Sequence, residues 1–123
     1  MAITLNATLR NARSTAIVTE AGATAKLTVY TAAYGAVLYT STCAAVLGTV
    51  AGGVLTFNAV GDSTATGAGT AAIARLFKTD GTTMVIEGLT VGTSGTHIVI
   101  NNDIIAVNDV VTTTSGTITE GNA

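Results

Sequence analysis

Proline and tryptophan are absent from the 123 residues, and cysteine and histidine occur once each. Only twelve side chains are charged, five Lys plus Arg against seven Asp plus Glu. The single Cys43 excludes an internal disulfide, and one Cys with one His leaves no zinc-ligand spacing. Five scattered basic residues at a net charge of -2 form no concentrated basic face, which argues against a nucleic-acid partner. Charged residues make 10% of the chain and aromatics 4%, where a soluble domain carries about 25% charge. What fills the space is small and apolar or hydroxylated. Hydrophobic residues make 48%, roughly a fifth of the chain is Thr and about a sixth is Ala. Such a chain buries enough surface to fold, so it reads as one domain over 1–123 and not as a disordered tail.

A folded monomer of 12.1 kDa exposes about 6,000 Å². Twelve charges over that area are sparser than a solitary soluble domain needs. Small core residues also stabilise weakly, at about 25 cal/mol per Å² buried. Both points imply that much of the surface lies against other protein.

Along the chain, Leu5, Leu9, Ala12, Ala16 and Ile17 recur mostly three and four apart. That spacing predicts a helix over about 6–20, capped by Asn6 or Thr4 and ended by Gly22. Arg10 and Arg13 share one of its faces, solvated or interfacial. From about 25 to 120 the chain reads as β, with strands at 25–31, 36–40, 44–50, 54–58, 69–78, 83–87, 97–101 and 110–120. The fold class is therefore mainly β, a β-sandwich or small barrel with one N-terminal α-helix. Asp80-Gly81 is the strongest hairpin signal, since both residues tolerate positive φ. Gly61–Gly69 reads as a loop, Asn101-Asn102-Asp103 as a turn and Thr112–Thr114 as an exposed β face. No secretory signal is evident at the N-terminus.

No charge occurs between Lys26 and Asp62, and Cys43–Gly61 has a mean hydropathy of about 1.6, near the threshold for a spanning helix. Gly48 and Gly52 even form a GxxxG pattern. Gly52-Gly53 in mid-run, several β-formers and the absence of basic flanks favour two apolar strands joined by a glycine turn.

The inventory for catalysis is thin. Cys43 sits in the apolar run STCAAVL, where a thiol behaves as an inert small hydrophobe, and nothing pairs it with His97. Gly92–His97 lacks the lysine and helix of a phosphate loop, so it reads as a glycine turn entering a strand. Asp103 and Asp109 bracket Ile104–Val107 without the spacing of a calcium loop, so they read as turn carboxylates. Tyr30, Tyr34, Tyr39, Phe57 and Phe77 read as the large pieces of an otherwise small-residue core. No catalytic, metal or cofactor site is assigned.

The opening MAITLNATLRNA (1–12) and the ending TITEGNA (117–123) resemble small virion proteins of tailed bacteriophages. The resemblance implies an N-terminal helix followed by a Thr/Ala/Gly-rich β domain that acts as a structural part of the particle, in its commonest form a capsid decoration (cement) protein. Such proteins typically form homotrimers that clamp neighbouring copies of the major capsid protein on the shell exterior, after synthesis in the host cytoplasm. The implied partners are the major capsid protein and the chain itself, with no nucleic acid, membrane or small-molecule substrate. Extended ends suit a clamp because they can add a strand to a neighbour's sheet. The assembly contacts expected on that ground are Met1, Ala2, Ile3, Thr4 and Leu5 at one end and Thr117, Ile118 and Thr119 at the other. A tail or fibre component, or a small membrane protein, is the alternative.

Overall fold

The computed structural model describes residues 6–119. Helix α1 (Ala7–Ala21) begins where expected: the Asn6 side chain accepts a hydrogen bond from the Leu9 N–H at 2.8 Å, satisfying a donor that the first helical turn leaves unpaired. It ends at Gly22, whose φ of 69° suits glycine.

The rest is β. Twelve strands follow: β1 (Lys26–Tyr30), β2 (Val37–Thr42), β3 (Gly48–Ala51), β4 (Val54–Phe57), β5 (Ser63–Thr64), β6 (Gly69–Thr70), β7 (Ile73–Phe77), β8 (Met84–Gly92), β9 (Ile98–Ile100), β10 (Ile104–Ile105), β11 (Val110–Val111) and β12 (Thr113–Thr119). Strands hold 45% of the residues, and the main sheet curls into a half-barrel. Its order is β2-β1-β7-β8-β9-β12-β4-β3. All its pairs are antiparallel except β8 with β9, which run parallel through Val91↔Ile98 and Gly92↔Val99. α1 packs against β3, β4 and β8. The core draws on nearly every long element, with Leu27, Val29, Leu38, Leu47, Leu55, Leu76 and Ile98 fully buried.

The apolar stretch that reaches the spanning-helix threshold is a hairpin. β3 and β4 pair from Gly48↔Phe57 to Ala51↔Val54, and Gly52 and Gly53 close the turn with φ of 59° and 78°. Two positive φ values in a two-residue turn match the right-handed twist of the strands. Among the described residues no helix is long and apolar enough to cross a membrane.

Several local expectations are corrected. The hairpin expected at Asp80-Gly81 forms, with β7 antiparallel to β8, but its turn spans four residues: the Lys78 N–H bonds the Thr83 carbonyl across it and only Gly81 takes positive φ, at 72°. Asp80 instead accepts from the N–H groups of Thr82 and Thr83 and from the Thr83 hydroxyl. The stretch 61–69 is not a bare loop: it carries β5 and the start of β6, paired with β11 and β10. The strand expected at 44–50 begins only at Gly48, and the one expected at 110–120 is broken at Thr112 into β11 and β12.

The helix faces also differ from expectation. Leu9, Ala12 and Ala16 point to solvent, while Ser14, Ile17, Val18 and Ala21 turn inward. Residues 10 and 11 are half-buried because they meet the β3–β4 turn. The Asn11 side chain accepts from the Gly53 N–H at 2.7 Å, and Arg10 lies against the open face of that glycine.

Candidate functional site

The one histidine performs a backbone task. His97 Nδ1 accepts from the Thr90 N–H at 3.0 Å, and the His97 N–H donates to the Thr90 hydroxyl at 3.1 Å. In the neutral ring, an accepting Nδ1 places the proton on Nε2. This reciprocal pair sits where the chain turns from β8 into its parallel partner β9, a step that a five-residue connection does not ordinarily make. Cys43 lies just past β2, separated from β9 in the sheet order by β1, β7 and β8. It is buried, and burial pushes its thiol up to about 11 against a smaller opposing pull from the Lys26 charge. The structure does not bring the two together.

Four carboxylates, those of Asp80, Asp109, Glu20 and Glu87, are spent on turns or ion pairs. Asp109 accepts from the Ala106 N–H at 2.9 Å and Asn102 from the Ile104 N–H at 3.1 Å. Glu20 pairs with Lys78 at 2.9 Å and Glu87 with Arg75 at 3.2 Å. Arg75 in turn lies over the Tyr34 ring, 3.8 Å from its centroid. Tyr34 is therefore a half-buried stacking partner and Phe77 is likewise half-buried, whereas Tyr30, Tyr39 and Phe57 are core pieces. Among the described residues, no group of three or more His, Cys, Asp or Glu could hold a metal ion.

What stands out is apolar surface. Ile104 is 70% exposed, Val110 59% and Val107 53%, and all three belong to the segment 101–111. This segment pairs through β10 and β11 onto residues 61–71, which lie along the outer edge of β2. There Thr66 and Gly67 N–H groups bond the Leu38 carbonyl, the Ser63 hydroxyl bonds the Thr40 carbonyl and the Gly61 N–H bonds the Thr42 carbonyl. The two segments thus form a flap beside the half-barrel. Ile104 and Val110 face a shared hollow of about 190 Å³, with Asn101, Asn102 and Asp109 around them. Periodicity did not reveal this surface, because two-residue strands carry too few positions to show alternation.

Of the expected assembly contacts, Met1, Ala2, Ile3, Thr4 and Leu5 lie outside the described residues. Thr117, Ile118 and Thr119 pair with Thr56, Leu55 and Val54 of β4, and the Thr117 N–H bonds the His97 carbonyl on the other side. Ile118 is buried. This strand lies inside its own sheet, so it does not offer a free edge for pairing with a neighbour.

Compared with known proteins, the chain matches no family model, no curated protein and no solved structure.

Proposed function

We propose that the chain is a structural protein of a tailed-phage virion, a capsid decoration protein that self-associates on the shell exterior and binds the major capsid protein. The observation that carries the reading is the pairing of exposed aliphatic side chains with scarce charge. Large apolar residues protrude at Leu9, Val37, Val46, Met84, Ile104, Val107 and Val110, while twelve charged side chains are spread over 6124 Å². Such surface favours burial against protein partners. The resemblance of the two ends to small virion proteins supplies the kind of particle. Burial at each contact would have to be undone before internal pressure parts the shell, so the role is mechanical and not chemical.

The test is sedimentation of purified protein with empty capsids. Decoration predicts saturable co-pelleting and a higher temperature of shell disruption. Binding to isolated tails alone would instead identify a tail or fibre component, and a requirement for detergent would identify a membrane protein. Deleting Met1–Leu5 is expected to weaken capsid binding more than it lowers the melting temperature of the free protein; equal effects would show that the segment serves folding.

A further inference from the structure

The flap carries an exposed aliphatic run. Residues 103–111 read DIIAVNDVV, and Ile104, Val107 and Val110 are each more than half exposed. β-Branched residues with little charge at the margin of a sheet are a template on which another chain can add a strand. Along this margin β10 pairs with β6 and β11 with β5, and among the described residues neither has a strand on its other side. The Ala71 N–H bonds the Asp103 carbonyl, and the Ala65 N–H bonds the Asp109 carbonyl. In antiparallel pairing this directs the backbone groups of Ile104, opposite Thr70, and Val110, opposite Thr64, away from the partner strand. By alternation, Ala106 and Thr112 complete the outward set. Most of these groups are already engaged within the segment. Asn102 Oδ1 accepts from the Ile104 N–H at 3.1 Å, Asp109 Oδ2 from the Ala106 N–H at 2.9 Å and Asn101 Oδ1 from the Thr112 N–H at 3.1 Å. The Ala106 carbonyl accepts from the Asp109 N–H, and the Thr112 carbonyl from the Asn101 N–H.

We propose that Asn101, Asn102 and Asp109 guard the outer margin of the flap. Their side-chain oxygens occupy the N–H groups that a strand from another molecule would need, so the aliphatic run stays at the surface without seeding backbone-paired aggregates. Each bond taken singly is ordinary turn chemistry. What sets the three apart is their common target, the outward donors of one margin. An added strand must bond at successive alternate residues. Here Ile104 has lost its donor, and Ala106 and Thr112 have lost both groups, which leaves at most Val110 to bond through both. One residue is too short a ladder to hold a strand. The side chains of Ile104, Val107 and Val110 meanwhile remain available for contact through their own surfaces. The inference does not depend on the virion reading.

The test is the full chain carrying Asn102→Ala and Asp109→Ala together, followed beside the wild type by circular dichroism, thioflavin T fluorescence and pelleting. The double variant is expected to start with native dichroism and then to form thioflavin-positive aggregates. Their threshold concentration is expected to lie at least about tenfold below that of the wild type, because two donors are set free. Adding Ile104→Lys to the double variant is expected to restore solubility, which places the seed in this run. Asp109→Asn removes the charge but keeps an acceptor oxygen, so it is expected to behave as the wild type, whereas Asp109→Ala aggregates more readily. A double variant as soluble as the wild type overturns the inference, since the side chains then only shape turns. Aggregation that follows loss of the native dichroism overturns it too, because unfolding and not an opened margin is then the cause. So does Asp109→Asn aggregating like Asp109→Ala, which would assign the protection to charge, or a failure of Ile104→Lys to rescue, which would put the seed elsewhere. Co-pelleting of the wild-type chain with empty capsids reports separately on the virion reading.

Discussion

Individual side chains in this molecule are held by local bonds whose loss has a defined sign. The Tyr39 hydroxyl is buried without a hydrogen-bond partner, and burial pushes the phenol well above its usual range. An unpaired buried hydroxyl contributes nothing to offset its desolvation. Tyr39→Phe is therefore expected to leave stability unchanged or raise it by up to about 1 kcal/mol, read by urea unfolding. Asp80 shows the opposite case at an exposed turn. Hydrogen bonds from the Thr83 side chain and backbone, then from the Thr82 backbone, hold its carboxyl down from 3.8 to about 2. The folded state thus binds this proton less readily than the unfolded chain. The stabilisation is complete above the unfolded value and is lost as pH falls from 3.8 towards about 2. Asp80→Ala is expected to lower the melting temperature between pH 5 and 8, where this stabilisation is complete, and to flatten the acid limb, so that variant and wild type converge as pH falls towards about 2. Cys43, buried and with its thiol pushed up to about 11, is expected to resist alkylation in the native protein and to react once urea exposes it.

At the scale of elements, the parallel step and the close approach of two strands are the points where small changes act most strongly. His97→Ala removes the acceptor of the Thr90 N–H where β8 meets β9. Its expected cost is about 0.5–1 kcal/mol in denaturant unfolding, because Thr90 and His97 are exposed and water can take the place of the lost acceptor. Gly48 is tighter still, because a Cβ there would collide with the Thr56 carbonyl on the paired strand. Gly48→Ala is expected to lose about 1–3 kcal/mol, whereas Gly61→Ala, which meets only ordinary contact, serves as the control. The same scale explains what can be read from sequence. The Asn6 cap, the Gly22 stop and the Gly52-Gly53 turn are local chemistry, so the helix and the hairpin were legible residue by residue. The parallel pairing of β8 with β9 and the bridges of β5, β6, β10 and β11 depend on residues distant in the chain, where no local period marks them. The helix shows the limit most clearly. Of its evident apolar period, Leu9, Ala12 and Ala16 face outward and Ile17 alone among the described members turns inward, where it joins Ser14, Val18 and Ala21 in a face whose mixed polarity hides it. The candidate interaction surface was legible only in its composition, as too little charge for the area.

The whole molecule is a curled sheet whose polar groups largely serve its own turns and edges, leaving aliphatic patches on the surface. The cover along β2 has a further consequence. Open-ended β-sheets invite unlimited stacking of identical molecules edge against edge. Here the carbonyls of Leu38, Thr40 and Thr42 are already engaged by residues 61–67, and β3 at the opposite margin is only four residues long. Many copies crowded side by side can therefore stick through side chains, at specific places and in finite number, without fusing their backbones into a fibril.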